Sequence, residues 1–358
     1  MSSLAVVVPE GIDDPARVSG GNRYDRRVCD GLRAAGWHVA EHAAGGSWPH
    51  PAPVALTALA RSLDALPDGA LVLVDGLIAS AAGPVLVPRS GRLRLVVLVH
   101  MAFGGDAVPE DDEAGVLAAA RAVVTTSGWT RELLLDRYGL PAARVHVARP
   151  GTDPGPPGPA SADGGRLLCV GTVSPLKGQD VLLDALAATA GLPWRCTLVG
   201  PGPHPAFAAA LERRAATAGI TGRLRWAGVR TGARLAREYR DADVLVLPSR
   251  CEAYGMVIGE ALAAGLPVIG SAVGGIPEAV GRTASGVPGL LVRAEDPAAL
   301  AGALDRWLAD PELRCRLRRA ARRRAEDLPD WRTTCRRLRG VLAAVRAEPD
   351  PVRTRVPR

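Results

Sequence analysis

The chain reads as an α/β protein of two doubly wound domains, each built on a parallel sheet, facing each other across a cleft. Three observations lead there. Short β-rich apolar runs recur along the 358 residues, and the stretches between them carry apolar residues at helical spacing. A segment dense in Pro and Gly, PGTDPGPPGPASADGG (150–165), separates two halves with the same plan. Length agrees, since at about 150 residues per domain a chain of this size divides in two.

The runs of the first half are LAVVVP (4–9), HVAE (38–41), LVLVD (71–75), RLVVLVH (94–100), AVVTTS (122–127) and VHVARP (145–150). Those of the second are RLLCVG (166–171), CTLVG (196–200), LRWAG (224–228), VLVLPS (244–249), PVIGS (267–271) and GLLV (289–292). They are apolar on both faces, as strands of a sheet covered by helices on both sides must be. The first run is closed by Pro9 and follows no basic region, so it reads as a strand and not as a signal peptide. After it, SGGNRYDRRVCDGLRAAGWHV (19–39) supplies a glycine turn and a helix that buries Val28 and Leu32 and turns Arg23, Arg26 and Arg27 to the cleft or to water, with water expected for most of them. The fourth strand leads into MAFGGDAVPEDDE (101–113), a loop placed to meet an acceptor, with Asp106 as a candidate there. In the second half a turn over 172–178 leads to a helix beginning near Gln179, and Gly255 opens a helix that stops at Gly265 before Pro267. The expected division is 1–150, a linker over 151–165, 166–310, and Arg-rich helices with a tail over 311–358 that pack back towards the first domain, anchored by Trp331.

Composition narrows the function classes. Hydrophobic content of 47% and charged content of 23% are those of a soluble globular protein. The six Cys (29, 169, 196, 251, 315, 335) form no CxxC pair and no cluster with His, so they read as small apolar residues in a reducing compartment. No apolar run approaches the roughly 20 residues of a bilayer span, and the expected location is the cytoplasm. The net charge of +7 is uneven: residues 311–358 hold 15 Arg against 6 acids, while the rest is nearly balanced. This excess is a solvated helix face and tail, or a contact with anionic lipid at the inner membrane face. With 4% aromatic residues there is little to stack on bases, which disfavours nucleic acid.

Of 44 basic side chains 43 are Arg, and Lys177 is the single lysine. It sits in the first strand-to-helix turn of the second domain, where an α/β sheet opens on its ligand. An ammonium is a compact point charge, whereas a guanidinium is a planar fork that a crowded pocket excludes. The richest segment is VLVLPSRCEAYGMVIGEALAAGLPVIGSAVGGIPEAV (244–280). Backbone amides at Gly255, Met256 and Val257 begin a helix and lack intrahelical acceptors, which makes a phosphate site. Glu252 and Glu260, eight positions apart, lie beyond and alongside that helix start. Carboxylates repel phosphate and accept hydrogen bonds from sugar hydroxyls, so the pattern suits a nucleotide diphosphate sugar with its hexose near Glu252 and its ribose near Glu260.

The E-x7-E spacing, the following GGIPE (274–278), the VG-x5-KG stretch (170–178) and the early GG (20–21) together resemble the retaining glycosyltransferases of family 4, over nearly the whole chain. The resemblance implies the GT-B fold, two facing Rossmann-like domains. It further implies a diphosphate contact for Lys177, a hexose contact for His100 at the end of VVLVH, backbone contacts from Gly20 and Gly21, and no essential metal or cofactor beyond the donor co-substrate. GPGP (200–203) and Gly228–Arg230 resemble segments that border the nucleotide, and Glu278 either touches the donor or caps its helix. One departure stands out: many members carry Arg directly after the glycine that ends the first strand of the second domain, and here Thr172 follows Gly171. Either Lys177 works with the helix amides alone, or Arg149, Arg230 or Arg250 compensates.

The reaction so implied transfers a hexosyl group to an acceptor hydroxyl with retention. Charge grows on the departing diphosphate, so positive potential and oriented amides are what catalysis needs. Retention through a carboxylate nucleophile is one route; the resemblance instead favours front-face attack, in which the leaving phosphate accepts the acceptor's proton and Glu252 positions the sugar. Other readings are a nucleotide-sugar epimerase of the same architecture and a non-catalytic scaffold that binds a partner or membrane. A nicotinamide dehydrogenase is disfavoured, because no GxGxxG follows the first strand.

Overall fold

A computed structural model describes residues 2–15, 17–103, 110–202 and 205–348. The chain forms two compact units. One comprises Met1–Asp14, Ser19–Gly151 and Asp330–Arg358, the other Pro15–Val18 and Thr152–Pro329.

The first unit is a six-stranded parallel sheet in the order β2-β1-β3-β4-β5-β6, with β1 Ser3–Pro9, β2 His38–Ala44, β3 Leu71–Asp75, β4 Arg94–Val99, β5 Ala122–Thr125 and β6 Val145–Val147. The order reverses between β1 and β3. β3 is buried at all five positions and β4 at all but Arg94. Each fully buried Val or Leu contributes about 1.5–3 kcal/mol, so these runs could not be left facing water. Helix Trp331–Ala347, though last in sequence, packs on helix Gly20–Ala34 and against β3, β4 and β5. Its stripe of Trp331, Cys335, Leu338, Leu342 and Val345 is buried, and a side chain at Gly31 would lie 2.3 Å from Cys335 Sγ. The Arg94 guanidinium closes the C-terminal end of that helix, donating to the carbonyls of Arg346 (2.7 Å) and Glu348 (3.0 Å). Arg26, expected in water, is instead clamped between Asp13 (2.6 Å) and Glu41 (2.7 Å). Those acids come from the loop after β1 and from β2, which helix periodicity does not show.

The second unit repeats the architecture with strand order β12-β11-β10-β7-β8-β9, all parallel: β7 Arg166–Val170, β8 Arg195–Val199, β9 Leu224–Gly228, β10 Val244–Leu247, β11 Val268–Ser271 and β12 Gly289–Val292. Here the order reverses between β7 and β10. The segment before β7 has neither helix nor strand, yet it is tied down. Fully buried Asp243 accepts from the Ser161 amide (2.8 Å), the Arg166 amide (2.9 Å) and Arg318 (3.0 Å), so strand start, linker and helix Pro311–Glu326 meet on one carboxylate. The Arg-rich C-terminal stretch divides: Pro311–Glu326 lies in this unit and packs on helix Met256–Ala263, while Trp331–Ala347 lies in the other. Among the described residues no helix is long and apolar enough to cross a membrane.

Candidate active site

In an open α/β sheet, ligands bind beyond the carboxyl ends of the strands where the strand order reverses. In the second unit those strands are β7 and β10, and their following loops carry Lys177 and Glu252. After β7 the chain makes a one-turn helix, Pro175–Lys177, before helix Gln179–Ala188. Gly178 between them is left-handed (φ +66°), and a Cβ there would fall 2.1 Å from the Pro248 carbonyl. Only glycine lets the two loops approach so closely.

The approach brings Lys177 Nζ to 2.5 Å from Glu252 Oε2, with side chains 27% and 15% exposed. Two groups assigned to opposite tasks in the sequence therefore form one partly buried ion pair. The Lys177 stem packs along Gly171. The loop is braced by buried Gln179, whose amide donates to the Thr172 carbonyl (2.9 Å) and whose oxygen accepts from the Ser174 amide (3.3 Å). Thr172 thus joins the site through its backbone. A second brace is Arg250, which donates to both Asp180 oxygens (2.9 and 2.8 Å), to the Pro175 carbonyl (2.6 Å) and to Glu295 (2.8 Å). Hydrogen bonding to Asp180 raises the Arg250 pKa, and Arg250 in turn holds Asp180 below the usual carboxylate range despite its burial. Arg250 is therefore a structural clamp and not a spare cation. Arg230 bonds the Val229 carbonyl (3.1 Å) and lies 3.7 Å from Glu238, while Arg149 belongs to the other unit.

Helix Met256–Ala263 starts directly after this pair. Its N-cap, Gly255, is left-handed (φ +86°) and offers no capping side chain, and Glu252 Cγ lies 3.4 Å from where a Gly255 Cβ would stand. The Met256 and Val257 amides have no acceptor within the helix. Glu260 follows one turn on, its Oε2 accepting from the Tyr239 hydroxyl at 2.6 Å. Tyr239, buried on helix Gly232–Asp241, is a site residue that sequence reading missed; its separation of 21 residues from Glu260 matches no local period.

The GGIPE glycines also acquire a reason. A Cβ at Gly274 would sit 2.0 Å from the Glu252 carbonyl, and one at Gly275 would sit 2.1 Å from the Ala253 carbonyl. The Gly275 amide donates to the Glu252 carbonyl at 2.8 Å. The motif therefore fixes the Glu252 loop from behind. Glu278 lies in the first turn of the short helix Ile276–Val280. The turns after β7, β8 and β9 are laced by Gly171 N to Val199 O (2.8 Å), Val173 N to Pro201 O (2.8 Å) and Gly200 N to Gly228 O (3.0 Å). Pro203, the last residue of GPGP, lies outside the described residues.

In the first unit, Gly20 and Gly21 do not form a tight turn: they are the first residues of helix Gly20–Ala34, capped by Ser19, whose hydroxyl accepts from the Asn22 amide at 3.0 Å. Gly21 is small for a reason, since a Cβ there would lie 3.2 Å from His100 Cδ2. His100 follows β4 with its side chain 17% exposed, and its Nε2 lies 2.8 Å from Asp25 Oδ1 and 3.4 Å from Asp75 Oδ2. These three residues group their ligand atoms within 4.8 Å of one another, as a metal site would. Asp75 is also the cap of a short helix, taking the Leu77 amide at 2.7 Å. Burial first, and the Asp75 charge with it, pushes Asp25 up to about 7 against the pull of His100. The two carboxylates push His100 up to about 10 against its burial, and despite its own burial Asp75 is held below the usual range by the hydrogen bond and charge of His100. Asp106 lies outside the described residues.

The model of the family described as Glycosyl transferases group 1 matches residues 164–310. Residues 164–310 are a group 1 glycosyltransferase domain. Among curated relatives, D-inositol 3-phosphate glycosyltransferase of Frankia alni is 36% identical over 260 residues, 65% of this chain and 60% of that protein. The protein of the same name from Salinispora tropica is 34% identical over 297 residues, 74% of this chain and 60% of that one. The chain thus spans about 60% of the length of these relatives. Among solved structures, sucrose-phosphate synthase from Thermosynechococcus elongatus superposes with a TM-score of 0.78 at 24% identity, covering 96% of this chain and 100% of that one. Anabaena Alr3699/HepE in complex with UDP-glucose gives 0.77 at 17% identity, covering 96% and 100%. The fold is that of the GT-B glycosyltransferases, and the group 1 domain contains Lys177, Glu252 and Glu260 together with the loops that seat them.

Proposed function

We propose that the chain is a retaining glycosyltransferase that moves a hexosyl group from a nucleotide diphosphate sugar to an acceptor hydroxyl. The observation that carries this reading is the Lys177–Glu252 pair beside the open start of helix Met256–Ala263, where the strand order of the group 1 domain reverses. Lys177 and the amides of Gly255, Met256 and Val257 take the diphosphate, and Glu260, steadied by Tyr239, takes the ribose hydroxyls. Glu252 orients the hexose, Thr172 lines the donor through its backbone, and in the first unit Gly20, Gly21 and His100 serve the sugar and its phosphates. As the glycosidic bond breaks, charge collects on the leaving phosphate. A point charge and fixed dipoles already aimed there lower that barrier without reorganisation, so the reading requires no metal or further cofactor.

The lysine is shared. While no donor is present its charge is spent on Glu252, and a bound diphosphate competes for the same three ammonium protons. Glu252 is then released towards the hexose, which couples donor binding to sugar orientation.

The structural neighbours are described as bound to UDP and UDP-glucose, so a uridine diphosphate hexose is the first donor to test. The names of the curated relatives make an inositol phosphate the first acceptor. Incubation with radiolabelled nucleotide sugars, with and without inositol phosphate, decides the matter; failure of every donor to be transferred or hydrolysed would leave a binding scaffold instead. For location, the reading is cytoplasmic with a peripheral contact to anionic lipid. Its support is the exposed Arg332, Arg336 and Arg339, which share a face of helix Trp331–Ala347. Sedimentation with phosphatidylglycerol vesicles, compared with a triple Arg→Gln variant, tests it.

A further inference from the structure

Asp25 and Asp75 carry no motif, and no step proposed above uses them. They are 3% and 5% exposed and come from separate elements, the first turns of helix Gly20–Ala34 and the end of β3. Their carboxylates nevertheless converge on a single atom, Nε2 of His100, at 2.8 and 3.4 Å. With both acids ionised, two acceptor oxygens at one ring nitrogen place the proton on that nitrogen. The ring is held on its other sides as well. Gly21 lies against its Cδ2 edge, and Tyr24 meets it edge-on at 5.2 Å and is itself fixed by donating to the Ala148 carbonyl at 2.8 Å.

One carboxylate would suffice to orient an imidazole. A second buried carboxylate is a cost unless positive charge offsets it. With a neutral ring and both acids ionised the cluster would carry two uncompensated negative charges, and Asp25 Oδ2 is buried without a hydrogen-bond partner among the described residues. A cationic ring relieves that arrangement. No hydrogen bond to Nδ1 is found among the described residues, and the side chain keeps 17% exposure.

We infer that Asp25 and Asp75 are positioning residues that engage Nε2–H of His100 together, keep the ring an imidazolium, and so present Nδ1–H as a charged donor to an oxygen of the transferred sugar. Only the identity of that ligand rests on the glycosyltransferase reading. Among the described residues, the titratable groups recorded against the ring are Tyr24 and Asp25 from the helix and Asp75 from β3. His100 up to about 10 and Asp75 down have the sign this arrangement demands, while burial lifts Asp25 to about 7 against the pull of the ring.

Long-range proton–nitrogen correlation spectra of the full ligand-free chain test the inference, with the His100 signals assigned by their loss in His100→Gln. In the wild type both ring nitrogens should remain protonated well above neutral pH. In Asp25→Asn, which keeps an acceptor for Nε2–H, the ring should titrate near the ordinary value of about 6.5. Asp75→Asn, which keeps an acceptor for the Leu77 amide, should move it part of the way. A wild-type ring that is neutral at pH 8, an unchanged titration in both variants, or a stoichiometric divalent metal bound at Nε2 in the purified protein would each overturn the inference. Should Asp25→Asn fail to fold, the wild-type and Asp75→Asn titrations decide alone. In the transfer assay Asp25→Asn should lower kcat on the order of tenfold, as expected when a charged hydrogen bond becomes a neutral one, and leave the affinity for bare nucleotide diphosphate unchanged. An inactive wild type would defeat the transferase reading and leave the spectroscopic result standing.

Discussion

The proposed sharing of Lys177 between Glu252 and a diphosphate makes an asymmetric prediction. Lys177→Ala removes the cation and also leaves the Glu252 carboxylate, only 15% exposed, without its partner beside the proposed phosphate site. A charge-assisted hydrogen bond is worth about 1.5–3 kcal/mol, so affinity for bare nucleotide diphosphate should fall by roughly 10- to 150-fold. Glu252→Gln acts in the opposite direction: it frees the ammonium, so the bare diphosphate should bind several-fold tighter while sugar transfer is lost. In Lys177→Ala/Glu252→Gln the uncompensated carboxylate is gone, and part of the loss should be recovered. Calorimetric titration of uridine diphosphate into the four proteins completes the cycle. The pair is partly buried, so its coupling should exceed that of an exposed ion pair, at most about 1 kcal/mol. Two results would refute the reasoning: Lys177→Ala binding as the wild type does, or Glu252→Gln binding more weakly.

Three further outcomes follow from the geometry. Tyr239→Phe deletes the donor to Glu260 and should weaken nucleotide binding by about 0.5–1.5 kcal/mol in the same titration, less than Glu260→Ala, which loses the carboxylate itself. Gly274→Ala places a methyl 2.0 Å from the Glu252 carbonyl at φ +55°, and should lower the melting temperature and the transfer rate together; a variant that melts and turns over as the wild type does would show that this loop yields. The stabilisation that the raised His100 pKa contributes is lost as pH rises from its ordinary 6.5 through about 10. Urea titrations over that window should therefore show the wild type losing more stability than His100→Gln, and parallel losses would show that the ring is not the charged partner.

Strands such as β1, β3, β4, β5, β7, β10 and β11 could be read directly because each is an apolar run buried on both faces, a pattern set within a few neighbouring positions, whereas β2 and β9 are only partly covered. The helix start at Met256 and the turn at Lys177 were equally local, marked by glycines at 255 and 178 whose left-handed conformations need no distant partner to be inferred. Other features had no local mark. Arg250 resembles any of 43 arginines until Asp180 and Glu295 are found around it, 70 and 45 residues away. The helices Pro311–Glu326 and Trp331–Ala347 are both Arg-rich with one apolar stripe, yet they belong to different units. An amphipathic stripe states that a face is to be buried and not against what.

By itself, then, the order of residues determined the doubly wound architecture, the uncapped helix start at Met256 and the singular status of Lys177, because backbone conformation and hydrophobic period are properties of short stretches of chain. Only the tertiary structure decided that Lys177 is bound to Glu252, that GGIPE supports Glu252 from behind, and that Asp25 and Asp75 meet on one nitrogen of His100. Electrostatic and steric energies depend on distance in space, and residues separated by 20 to 75 positions become neighbours only when the sheet that carries them has formed.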